Sequence, residues 1–245
     1  MIRQITQKTV LAMGRTFHSL TNRNFRFFWF GQCISLIGTF MQRTAQYWLV
    51  YTITQSPFAL GMLGVCQFLP MMLLSLPAGA LIDRFPKKRL IIATQCLFMF
   101  QAAAFAALTY TETIAYWQIL ILSALYGVTQ TFDMPARQTF IFELVGKDDI
   151  MNAVSLNSAI VNGAKILGPA VAGLLMLNLG IEACFTINAV SYVAVLAGLF
   201  MIRLPRGVIQ HAKQRVAAQV MDGLRYIKTS PVLIVNVLVF GIVST

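Results

Sequence analysis

The chain has 245 residues, of which 58% are hydrophobic and only 11% charged, and a net charge of +11. A soluble domain carries about 25% charged residues, so this composition excludes an ordinary water-soluble globule. It does not point to nucleic acid either: the bases sit in short loops beside apolar spans, where anionic lipid headgroups attract them.

Residues 1–26 are basic, but Thr9–Met13 is too short for the apolar core of a secretory signal, and no small-residue cleavage site follows. They read as a cytoplasmic lead-in. Six apolar segments then reach the length of about 20 residues that a membrane-crossing helix needs. They are Phe27–Ile53, Leu60–Ile82, Leu90–Tyr110, Ile114–Phe132, Ile160–Leu179 and Ala183–Ile202. These are long continuous runs rather than short alternating ones, so helices are expected and a strand barrel is not. The connections Thr54–Pro57 and Thr111–Thr113 leave room only for tight helical hairpins. Tyr47, Trp48 and Tyr51, and Tyr110 with Tyr116 and Trp117, collect at span ends as an interfacial aromatic belt. Gly61, Gly64, Gly163, Gly168 and Gly173 are expected to admit close helix approach.

Beyond Ile202 the pattern changes. Val208, Ala212, Val216, Val220 and Leu224 recur every four residues, with Ile227 three further on, among Lys213, Arg215 and Arg225. Residues 203–231 therefore predict an amphipathic linker helix, lying either on the cytoplasmic membrane face or in water. A seventh apolar run, 232–245, is too short to span an average bilayer. It is expected to be the beginning of a seventh helix of a longer protein.

The Lys and Arg residues alternate in side. Arg3, Lys8, Arg15, Arg23 and Arg26 precede the first span; Arg84, Lys87, Lys88 and Arg89 separate the second and third; Arg137 and Lys147 separate the fourth and fifth; the rest follow the sixth, apart from Arg43 and Lys165. The other connections carry none. Cytoplasmic loops retain Lys and Arg, so the N-terminus and the even-numbered connections are expected inside.

Charges at membrane depth default to a functional reading, because burying them is costly. Arg43 lies 16 residues into the first span, roughly 24 Å along at about 1.5 Å per residue. It is expected either to face a central cavity, opposite an anionic substrate group, or to snorkel outward. Lys165 lines the inner mouth of a pathway or snorkels. Gln46, with Gln32, Gln67, Gln95, Asn157 and Asn162, offers polar contacts to other helices or to substrate. Asp133 and Arg137 are four apart and share a helix face. With Asp83 and Arg84 they are expected either to form an ion-pair network closing a cytoplasmic gate or to remain unconnected surface charges. Cys33, Cys66, Cys96 and Cys184 each fall in a different span and have no CxxC partner, so they read as packing residues. His18 and His211 receive no ligand role. No metal cluster, nucleophile elbow or phosphate-cradling loop is present, and Gly146-Lys147-Asp148-Asp149 reads as a cytoplasmic loop. Neither an enzyme, nor a cofactor, nor ATP drive is indicated.

The stretch Gly79-Ala-Leu-Ile-Asp83-Arg84-Phe-Pro-Lys87-Lys88-Arg89 resembles the loop signature of the major facilitator superfamily: Gly, three residues, Asp-Arg, then bases. Pro86 stands where that signature usually has Gly. Gly79 is expected to let another helix approach, Asp83 to pair with bases or face a helix N-terminus, and the bases to anchor the loop at the cytoplasmic surface. Phe132–Gln138, Glu143–Val145, Gly31-Gln32 and Trp48–Tyr51 extend the likeness to the branch containing enterobactin exporters and related efflux permeases. Gly168-Pro169-Ala170-Val171-Ala172-Gly173 is similar to the fifth-helix motif of exporters in this superfamily, with Ala172 where a Gly pair usually ends it. Pro169 is expected to bend that helix. The intramembrane Arg of drug–proton antiporters would fall near Ser123, where there is none.

The resemblance implies an all-α membrane protein: the six-transmembrane-helix N-terminal half of a major facilitator fold, built of two inverted three-helix repeats, plus linker and truncated seventh helix. It implies secondary-active efflux of a small amphipathic molecule, such as a siderophore or drug, by alternating access in the bacterial inner membrane. The partners implied are the lipid bilayer, a small-molecule substrate, and either a missing C-terminal six-helix half or a second copy of this chain. A half-transporter working as a homodimer and a non-transporting membrane scaffold remain the alternatives.

Overall fold

A computed structural model describes residues 18–203. The expected linker helix (from Leu204) and the seventh apolar run lie outside the described residues. After a 3-10 turn at His18–Thr21 come α1 (Arg23–Thr54), α2 (Pro57–Ile82), α3 (Lys87–Tyr110), a helical run Tyr116–Leu179, and a last helix Ile181–Met201. Gly146, at φ 73° and ψ −172°, breaks the long run into α4 (116–145) and α5 (147–179); the last helix is then α6. That backbone region is essentially open to glycine alone. The expected loop at 146–149 is therefore corrected to a single non-helical residue: both helices continue well past the apolar segments and meet at Gly146.

Local chemistry explains the other ends. Asn22 caps α1, its Oδ1 accepting from the backbone N–H groups of Asn24 (3.0 Å) and Phe25 (3.2 Å). α1 stops at Gln55, which adopts the left-handed conformation, and Pro57 opens α2 at a position where its missing N–H costs nothing. Gly180, at φ 86°, alone joins α5 to α6. Pro135 and Pro169 lie inside the long run, whose one departure from helical φ/ψ is at Gly146.

The helices alternate in direction. One apolar cluster gathers Phe25 and Phe28 at the start of α1, Ile82 at the end of α2, Ile91 at the start of α3, Phe140 and Leu144 at the end of α4, Leu156 in early α5, and Leu199 late in α6. A second gathers the opposite ends: Leu49, Leu63, Phe105, Ile119, Ala172 and Phe185. Successive helices thus run up and down, and α1 packs against both α6 and the long run. This brings Arg23, Arg26, the bases of 84–89 and Arg203 to the same end of the bundle.

Between the clusters the interior is polar. Gln32, Gln42, Gln46, Gln67, Gln95, Gln101, Asp133 and Asn188 are buried, while Phe58, Met151, Ile166 and Leu177 are each at least 75% exposed. Such an arrangement, polar inside and apolar outside, suits a hydrocarbon solvent rather than water. Pro57–Ile82, Lys87–Tyr110, Asp149–Leu179 and Ile181–Met201 are long and apolar enough to cross a membrane. α1 and α4 fall short among the described residues, because they carry Gln32, Gln42, Arg43 and Gln46, and Gln130 and Asp133, respectively.

Candidate functional site

Three buried amides link the middle of the bundle. Asn188 Nδ2 donates to Gln42 Oε1 at 2.6 Å, and Gln42 Nε2 donates to Gln101 Oε1 at 2.9 Å. Gln101 Nε2 reaches the Leu122 carbonyl at 3.4 Å. α6, α1, α3 and α4 are joined in that order through side chains that have no water to turn to. Beside them the hydroxyls of Thr39 and Tyr192 lie 3.1 Å apart. The ladder fixes the turn of α1 that presents Arg43 and Gln46.

Those two residues border a narrow cleft together with Gln67 of α2 and Tyr126 of α4. Its free volume is about 10 Å3, room for a single water-sized group. The backbone of α2 comes close at this level: a Cβ added at Gly127 would collide with the Gln67 carbonyl. Arg43 is half-buried, with its guanidinium carbon 5.8 Å from the centre of the Phe68 ring, a cation–π contact. Among the described residues no carboxylate pairs with it. Gln46 is 4% exposed, and its Nε2 has no hydrogen-bond partner among them. The structure thus brings Arg43 and Gln46 together. Lys165 is not with them: it is exposed on α5 beside Ile166 and Leu167.

A second charged group lies towards the basic end. Asp133 is 1% exposed and accepts from Thr94 Oγ1 (2.5 Å), Gln95 Nε2 (3.0 Å) and Arg137 Nε. The spacing of four residues thus produces an ion pair within α4. Asp83 instead pairs with Lys87 at 3.4 Å and is mostly exposed. Lys87 Nζ also donates to the Ile82 carbonyl at 2.6 Å, and Lys88 Nζ to the Ile202 carbonyl at 2.7 Å. Two signature bases therefore cap the C-termini of α2 and α6, where cations are favoured. Arg84 is half-buried and Arg89 exposed.

The glycines need correction. Gly168 does sit against α1, where an added Cβ would stand 2.5 Å from Phe40 Cβ and 2.9 Å from the Met41 nitrogen. Gly61, Gly64, Gly79, Gly163 and Gly173 meet nothing within 4 Å. They lie on faces that no other described helix covers. Pro169 is likewise exposed. Sequence reasoning missed Thr39, Gln42, Gln101, Tyr126, Asn188 and Tyr192. The available signals were Gln42 and Gln46 four apart on one face of α1, and Asn188 interrupting an otherwise apolar α6.

An up-and-down helical bundle with an apolar exterior and a polar, charge-bearing interior defines a multi-pass membrane protein. The chain belongs to the transmembrane secretion effector family of the major facilitator superfamily, which it matches over residues 15–245. It is 30% identical over 173 residues to the staphyloferrin A transporter of Staphylococcus aureus, covering 70% of this chain and 44% of that protein. An uncharacterised MFS-type transporter of Bacillus subtilis is 28% identical over 214 residues, 84% of this chain and 50% of its own. The multidrug efflux pump Tap of Mycolicibacterium fortuitum is 26% identical over 197 residues, 76% and 47% respectively. The chain spans about half the length of the curated relatives it matches.

Proposed function

We propose that residues 27–202 act as the N-terminal six-span half of a secondary-active efflux permease in the bacterial plasma membrane, with the N-terminus cytoplasmic. α1 and α4 cross the membrane in this reading despite their polarity, because their polar residues face the bundle interior. The enterobactin-exporter-like branch fits the motifs at Asp133–Arg137 and Gly168–Gly173. The observation that carries the reading is the cleft at Arg43 and Gln46, polar groups midway along α1 beside a buried amide ladder. Such groups mark substrate pathways by default. Alternating access would open this cleft as one half rocks against another six-helix half, from the same polypeptide or a second copy.

Arg43 and Gln46 are assigned to the pathway, and Lys165 to its inner mouth, on the face of α5 that the other half would cover. Asp133 and Arg137, with Asp83, Arg84 and Lys87, are assigned to the cytoplasmic gate; their position at the basic end supports this. The relatives' names support export of a siderophore or drug. The test is efflux from energised cells expressing the full reading frame, loaded separately with staphyloferrin A, a macrolide and ethidium. Saturable, energy-dependent loss of at least one, absent from cells with the empty vector, is expected. Equal retention of all three by both cell types contradicts the proposal.

A further inference from the structure

We propose that the Arg43 cleft selects an anion: a carboxylate carried on a flat apolar body, rather than a cationic amphiphile. The inference rests on the pathway reading of this cleft and adds the sign of the group it takes. Arg43 is the one charged residue among those bordering the cleft. Its guanidinium is covered on one side by the Phe68 ring and finds no carboxylate among the described residues. Among the described residues the buried carboxylate is that of Asp133, and it is already claimed by Thr94, Gln95 and Arg137. A cation entering here would meet no counter-ion.

Gln42 and Asn188 spend their amides on each other and on Gln101, and Tyr192 on Thr39. What is left over at the cleft is the Arg43 guanidinium, the unpartnered Gln46 Nε2 in a side chain 4% exposed, and the neutral amide of Gln67 and hydroxyl of Tyr126, so the one charge is positive. A guanidinium and an amide N–H suit a carboxylate, which accepts at both oxygens. In a low-dielectric interior the sign of a charge weighs far more than in water. Tyr126, Tyr192 and Phe68 border the charged end and would offer ring surface to an apolar body once the cleft opens beyond its room for one water-sized group.

Equilibrium dialysis in lipid nanodiscs of the protein expressed from its full reading frame tests this, with three radiolabelled probes of one shape: 2-naphthoate, 2-naphthamide and 2-naphthylmethylammonium. Naphthoate is expected to bind about ten-fold or more tighter than the ammonium probe. Arg43→Gln should erase that difference, and Arg43→Lys should restore it. Elution as a single species in size-exclusion chromatography and an unchanged helical circular dichroism spectrum check that each variant is folded, and the wild-type charge series decides the question even if Arg43→Gln does not fold. Equal or tighter binding of the ammonium probe, or a preference for naphthoate that survives Arg43→Gln, overturns the proposal. Binding that ignores charge but is lost in Gln46→Leu removes the anion preference and leaves the pathway reading standing. No binding of any probe removes both.

Discussion

Asp133 is the residue on which the interior charge balance turns. Three donors converge on a carboxylate with almost no contact with solvent, and one of them is the Arg137 guanidinium. Breaking a buried ion pair by removing one partner costs about 3–5 kcal/mol, because the remaining charge is stranded. Asp133→Ala should therefore lower unfolding stability in detergent by about that much, and the double variant Asp133→Ala/Arg137→Ala by clearly less. A loss under about 1 kcal/mol in the single variant would show that the pair is not buried as described. The pair itself was legible, since i and i+4 share a helix face. Its neutral partners, Thr94 and Gln95, were not, because they come from α3, and no spacing within one element reveals a neighbour across the bundle. Lys87 and Lys88 show the same boundary. Their charge marked a loop at a membrane surface; that they cap α2 and α6 depended on where the helix ends meet.

At the level of elements, glycine was the least legible signal. A small residue permits close approach but does not say whether anything approaches. Gly168 is pressed against Phe40 and Met41 of α1, whereas Gly173, in the same exporter-like motif, has open space. Gly31 and Gly198, which the sequence reading passed over as packing sites, let α1 and α6 cross with backbone near contact. Gly168→Ala should push α5 from α1 and cost about 1–3 kcal/mol, as overpacking does. Gly173→Ala should be neutral within about 0.5 kcal/mol in the isolated chain. Thermal unfolding of the two variants side by side checks this; equal loss in both would contradict the α1–α5 contact. Helix existence was well read, because a continuous apolar run of spanning length has few alternatives. The loop expected at 146–149 shrinks to one residue, because polarity does not by itself end a helix. Gly146 was the one break the backbone needed. The N-terminal segment bridges that break: Asn22 Nδ2 donates to the Leu144 carbonyl before it, and Ser19 N–H to Asn152 Oδ1 after it.

For the whole molecule, two independent patterns agree. Lys and Arg alternate between connections along the sequence, and the up-and-down packing brings the basic connections to one end of the bundle while the Thr111–Thr113 turn lies at the other. Interior polarity and exterior apolarity follow from exchanging water for hydrocarbon as solvent; composition announced the solvent, not which face of each helix is polar. The cleft was only partly legible. Arg43 and Gln46 announced themselves as polar groups deep in a span, but the ladder beside them joins Gln42 of the same helix to Asn188 of α6 and to Gln101 of α3, which no spacing within α1 reveals.

The central claim is that these helices cross a bilayer with the basic end inside the cell. It is tested most directly by labelling single cysteines in intact cells, with Cys33, Cys66, Cys96 and Cys184 first replaced by alanine. Thr113→Cys and Arg89→Cys place one thiol at each end, both at exposed positions. A membrane-impermeant maleimide is predicted to label position 113 in intact cells and position 89 only after the cells are opened. Labelling of position 89 from outside, or equal labelling of both sites before lysis, would contradict the account.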